Sequence, residues 1–177
     1  MKKINNKMNS KGQIFSIDMI LAGVVFLLIL TLIATYSNHT ANRVDIIESD
    51  NERDETANLV SNSLIYSQGN PLNWENKTIT GISSIGIIKE RNVIDKQKLQ
   101  QLVDLNTGNY EEVKDLLGAS KYGLKIELEA LQNGQMIAEF GIDPSTEEKV
   151  SSANRFAFYD GEEVLLRVKV FEWKKEL

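Results

Sequence analysis

The sequence predicts an α+β protein. A long N-terminal helix, membrane-spanning in its first half, is expected to pack on a C-terminal antiparallel β-meander, with two short helices inserted between them. Three observations lead there. From Ile14 to Tyr36 the chain carries one charge, Asp18, among Ile, Leu, Val, Phe, Met and Ala. From Asn38 to Gln68 it runs on without Pro or Gly. From Tyr122 onward the apolar residues alternate, which is the period of a half-buried strand rather than a helix.

The apolar run is about 23 residues long. At about 1.5 Å of rise per residue, a helix of that length crosses roughly 30 Å of hydrocarbon. Lys2, Lys3, Lys7 and Lys11 precede it with no acid among them, whereas Asp45, Glu48, Asp50, Glu52, Asp54 and Glu55 follow it. The positive-inside rule therefore puts the N-terminus in the cytoplasm and the rest of the chain outside. A secretory signal peptide fits poorly, because its apolar core is usually about 7–15 residues and the exit TYSNHTANR lacks a small-x-small cleavage site. An uncleaved signal anchor fits better.

Lys11-Gly12-Gln13 and Asp18 add a sharper feature. A basic leader ending in Gly, then Gln, then an acid a few residues into a long apolar helix, resembles the class III signal peptide of archaeal type IV pilin-like proteins. The resemblance covers about 25 residues. It implies that a prepilin peptidase cuts between Gly12 and Gln13, and that the apolar helix stays on the mature protein to form a filament core with other pilin subunits. The acid stands one residue further from the cut than the family's usual glutamate. A carboxylate within a spanning segment costs at least about 2.5 kcal/mol and so tends to have a partner. Asp18 and a new ammonium at Gln13 are five residues apart and do not share a helix face. Two partners are open for Asp18: the Gln13 amine of a neighbouring subunit, or headgroups and water if it lies shallow.

The segment Asn38 to Gln68 carries Val44, Ile47, Leu59, Val60, Leu64 and Ile65 at spacings that fit a helical stripe, interrupted by a polar stretch from Glu48 to Thr56. The membrane helix is expected to run on into it; a polar linker followed by a separate helix from Asp54 is the alternative. The acid cluster reads as a solvated face. Gly69-Asn70-Pro71 ends the helix, and Trp74 is expected to plug the loop onto the core. Thr78 to Ile88 is β-branched and Gly-punctuated and reads as a short bent strand. Asp95 is the expected N-cap of a helix through Leu105, and Tyr110 to Leu117 forms another.

Tyr122 to Leu131 then places Leu124, Ile126, Leu128 and Ala130 on one side and Lys125, Glu127 and Glu129 on the other. Asn133-Gly134 and Asp160-Gly161 are hairpin signals. They separate strands expected at Gln135 to Ile142, Arg155 to Tyr159 and Val164 to Trp173. The apolar face of this meander needs a cover, and the helix from Asp54 to Ser67 is the nearest. The chain thus divides into a basic cytoplasmic leader (1–12), cleaved; a transmembrane or filament-core helix (13–36); its continuation (37–68); and an extracellular α+β head (69–177).

Composition excludes several chemistries. Four of the 20 basic residues lie in the leader and one of the 25 acids lies in the apolar run, leaving the exterior part at about −8, a poor match for nucleic acid or anionic lipid. With no cysteine there is no disulfide framework, thiolate zinc site or thiol nucleophile. His39 is the only histidine, so neither a His-based triad nor a His-rich metal cage is available in one chain. There is no GxxxxGK or GxGxxG phosphate loop. The pairs Glu111-Glu112, Glu147-Glu148 and Glu162-Glu163 are sequence neighbours, which do not converge on a helix or strand. No enzyme activity, cofactor or metal is expected.

Two N-x-[ST] sequons fall in the part expected outside, at Asn38 and Asn76, and are candidate glycosylation sites; Asn76, in a loop, is the better one. The expected role is a pilin-like structural subunit, major or minor, of an archaeal type IV-like surface filament, resident in membrane lipid before assembly. The alternative is a single-pass membrane-anchored extracellular domain that binds a partner without entering a filament.

Overall fold

The computed structural model describes the backbone of residues 10–146 and 149–172, and the side chains of these residues except 10–16 and 38–47. The fold is α+β. Helix α1 spans Ser10–Tyr66, 57 residues. It is followed by β1 (Ile88–Glu90), β2 (Val93–Ile94), α2 (Lys96–Asp104), α3 (Tyr110–Leu116), β3 (Tyr122–Ala130), β4 (Met136–Gly141), β5 (Val150–Tyr159) and β6 (Glu162–Glu172). The chain divides into two compact units, Met1–Glu48 and Ser49–Leu177. In the first, the described backbone is helical from Ser10 onward. No helix-breaking Pro occurs there, and Gly23 costs only about 1 kcal/mol in a helix interior.

The second unit is the head. Its part of α1 buries Ala57, Val60, Leu64 and Ile65, at i, i+3, i+7 and i+8, against the sheet. Val60, Leu64 and Ile65, buried this way, each contribute about 1.5–3 kcal/mol, and Ala57 less. The helix stops at Tyr66, ahead of Gly69, whose φ of +83° is open to glycine at little cost. Trp74 is fully buried and donates from Nε1 to the Gly86 carbonyl at 2.9 Å. Lys98 Nζ donates to the Gln68 carbonyl at 2.6 Å, tying α2 to the chain just past the end of α1. Asp95 caps α2, its Oδ1 accepting from the amides of Gln97 and Lys98 at 2.8 and 3.2 Å.

The strand expected over Thr78 to Ile88 does not form. That segment has a 3-10 turn at Ile79–Gly81 and then runs irregularly until β1 starts at Ile88. Its backbone bonds go elsewhere: Asn70 N donates to Ser84 O at 2.9 Å and Ile87 N to Leu64 O at 3.0 Å. Ile82, Ile85 and Ile87 are buried as plugs rather than alternating. Gly86 lies so close to the Ser67 carbonyl that a Cβ would collide with it.

The sheet has six strands in the order β1-β2-β5-β6-β3-β4, with β2 parallel to β5 and every other pairing antiparallel. Both expected hairpins are present. Asp160 and Gly161 adopt φ of +54° and +88° between β5 and β6, and Gly134 adopts +67° between β3 and β4. The expected antiparallel meander is corrected in two respects: β2 joins β5 in parallel, so the sheet is mixed, and β4 does not neighbour β5, because β6 lies between β3 and β5. β5 is also longer than expected and starts at Val150.

Leu124, Ile126, Leu128 and Ala130 of β3, with Val164, Leu166, Val168 and Val170 of β6, form the face under α1 and α2. Lys125, Glu127 and Glu129 face the other way as expected, yet Lys125 and Glu127 are buried. A cross-strand ion ladder covers them: Lys125–Glu139 at 2.9 Å, Lys169–Glu127 at 2.7 Å and Arg167–Glu129 at 3.0 Å. Desolvation opposes the charge on Lys125, but its bonds and charges to Glu139 and Asp143 outweigh that and raise its pKa.

Candidate functional site: the exposed apolar helix

Within α1, Ile17–Ser37 is 21 residues of mean hydropathy 2.7, long and apolar enough to cross a membrane, and none of it is buried inside the protein. Leu21, Phe26, Leu28 and Leu32 are each 60% exposed or more. Water-facing apolar surface on this scale is unfavourable by about 25 cal/mol per Å². Lipid or other apolar helices would remove that cost. Two threonine hydroxyls bond within the helix: Thr31 Oγ1 donates to the Leu27 carbonyl at 2.8 Å and Thr35 Oγ1 to the Thr31 carbonyl at 2.9 Å. The backbone polar groups are paired by the helix itself, as any span in hydrocarbon requires.

Asp18 is an exposed carboxylate inside this apolar surface. Four and five residues along, Ala22 and Gly23 leave the helix thin; nothing lies within 4 Å of where a Cβ on Gly23 would stand. Such a notch allows another helix to approach closely. Gly12 and Gln13 are on the helical backbone of α1, and their side chains lie outside the described residues, as do those of Asn38 and His39. The leader residues 1–9 also lie outside them. The structure therefore does not bring Gln13 and Asp18 side chains together or apart. Asn76 is exposed at the end of a 3-10 turn, and its Nδ2 donates to Glu75 Oε1 at 3.2 Å.

Two surface features of the head were not legible in advance. On the outer face of the sheet, Phe156, Leu165, Glu129 and Met136 stand in one row across four strands. Phe156, 67% exposed, and Phe158, 45% exposed, leave an apolar strip on β5, separated from Met136 by the ion-paired Glu129. Alternation in β5 does put these rings opposite the buried Ala153 and Ala157, a signal present in the sequence once the strand is known to start at Val150. The second feature is Arg53, which is 2% exposed within the acid cluster. It is bonded to Asp50 and reaches Glu172 of β6 at 3.2 Å and Ser49 Oγ at 3.0 Å. Lys149 approaches Asp50 at 3.4 Å and Tyr122 bonds Glu52 at 3.1 Å. A groove of about 240 Å³ adjoins this cluster, between Glu52, Glu55 and Leu59 of α1 and Ser120 to Tyr122.

Among the described residues no three His, Cys, Asp or Glu side chains stand close enough together to hold a metal ion. Comparison with protein-family models, with characterised proteins and with solved structures gives no match.

Proposed function

We propose that this chain is a pilin-like structural subunit of an archaeal type IV-like surface filament. One observation carries the reading: a 21-residue apolar helix segment that the protein leaves entirely uncovered, with one carboxylate, Asp18, set in its surface. The resemblance of the Lys11-Gly12-Gln13 leader to class III signal peptides supports the same reading. The mechanism is mechanical rather than catalytic. A prepilin peptidase removes residues 1–12 on the cytoplasmic side. The apolar helix passes from lipid into a bundle of like helices, so its surface stays out of water at each stage. Asp18 is neutralised by the Gln13 ammonium of a neighbouring subunit, and Ala22 and Gly23 let the helices close on one another. The head, outside the cell, forms the filament surface and makes the adhesive contacts.

Asp18→Ala tests this reading. The variant is cleaved like the parent protein, remains in the membrane fraction and is missing from filaments sheared off the cell. A variant that enters filaments as well as the parent does contradicts the assigned role of Asp18. Failure of both proteins to leave the membrane favours a single-pass anchored extracellular binding domain.

A further inference from the structure

The stretch of α1 that opens the head, Ser49 to Thr56, reads SDNERDET and contains no apolar side chain. The apolar stripe that packs on the sheet starts only at Ala57. The described contacts of these two turns with the sheet are polar and end on three strands: Glu52 with Tyr122 at the start of β3, Asp50 with Lys149 just before β5, and Arg53 with Glu172 at the end of β6. Arg53 is the one buried side chain among them, and its Nε has no partner among the described residues.

We propose that Ser49–Thr56 is a releasable strap, held by charge and hydroxyl contacts to the ends of three strands and freed by acid while the rest of the head stays folded. A buried guanidinium is tolerated only beside its carboxylates. Protonation of Asp50 takes away the carboxylate bonded to Arg53, leaves the buried charge under-compensated, and the turn opens to hydrate it. The groups facing it are Asp50 and Glu52 on its own helix, Tyr122 from β3, Lys149 from before β5 and Glu172 from β6.

The titration runs in the required direction. Desolvation works against the charge on Asp50, but Arg53 and Lys149 outweigh it and hold the carboxyl below its usual range. A lowered carboxylate contributes stability that is complete above its unfolded value, about 3.9, and lost as the pH falls through the folded value. Burial first, then the bond to Glu52, raises the Tyr122 phenol, so it remains a donor throughout. Release adds Ser49 to Thr56 to the connector between apolar segment and head. The inference holds for a filament subunit or for a lone anchored protein.

The test is hydrogen exchange on the full chain in detergent micelles, read as protection factors. Between pH 7 and pH 2, protection of the Arg53 to Ala57 amides falls about tenfold or more, the loss carried by one charge-assisted hydrogen bond. Protection at Ile126 and Val168 is unchanged. At pH 7 the double variant Asp50→Asn/Glu172→Gln shows the same local fall. Arg53→Met, which removes the buried charge, abolishes the difference between the two pH values. Unchanged protection in the double variant, or a fall shared equally by Ile126 and Val168, overturns the proposal.

Discussion

Trp74 and Gly86 make one joint: the indole Nε1 is fixed on the Gly86 carbonyl, and the glycine lets that backbone lie against Ser67. Trp74→Phe keeps most of the buried ring but leaves the carbonyl without its donor. A loss of about 1–3 kcal/mol is expected, measured as a lower urea midpoint of the full chain in detergent. Gly86→Ala forces the Ser67 backbone to move, and its midpoint falls further than that of Gly81→Ala, whose Cβ meets nothing nearer than 3.7 Å. Truncating Leu64, fully buried beneath the sheet, to Ala costs about 2–5 kcal/mol by the same measurement. Trp74 was legible as a plug because a lone large aromatic in a Pro-Asn-rich loop has little else to do. Arg53 was not. It sits among Asp50, Glu52, Asp54 and Glu55 like any solvated residue, and the carboxylate that draws it inward, Glu172, is 119 positions away.

At the level of elements, local signals were read correctly where the deciding interaction is itself local. Asp95 announces α2 because a cap needs only the two amides that follow it. Asp95→Ala is expected to cost about 1 kcal/mol and to raise hydrogen exchange at Gln97 and Lys98 before it affects β6. Asn133-Gly134 and Asp160-Gly161 announce their hairpins for the same reason: positive φ is a property of one or two residues. Thr78 to Ile88 misled because β-branched composition describes burial as well as extension. Here Ile82, Ile85 and Ile87 join the common core from an irregular segment, not as one face of a strand. Strand order was the least legible feature. Placing β6 between β3 and β5 depends on which pairs bury the most surface over the whole head, and no turn residue encodes that.

Over the whole molecule, the sequence places the head from residue 69, whereas the compact unit of the structure starts earlier, at Ser49, because the last turns of α1 pack into the core of the head. The α+β class was legible because helical and alternating periods occupy different parts of the chain. The candidate site was legible as a long apolar run, since length and hydropathy are additive along a sequence. The exposure of Phe156 and Phe158 was not, because alternation alone does not say which face of β5 the rest of the head covers. On the proposed reading, the apolar helix is trimmed of its lysine leader and then stacks with copies of itself. Intact-mass and N-terminal analysis of the protein recovered from sheared surface filaments tests this most directly. The expected chain begins at Gln13 and is found in the filament fraction. A chain that retains Met1 to Gly12 and is recovered only from the membrane contradicts the claim.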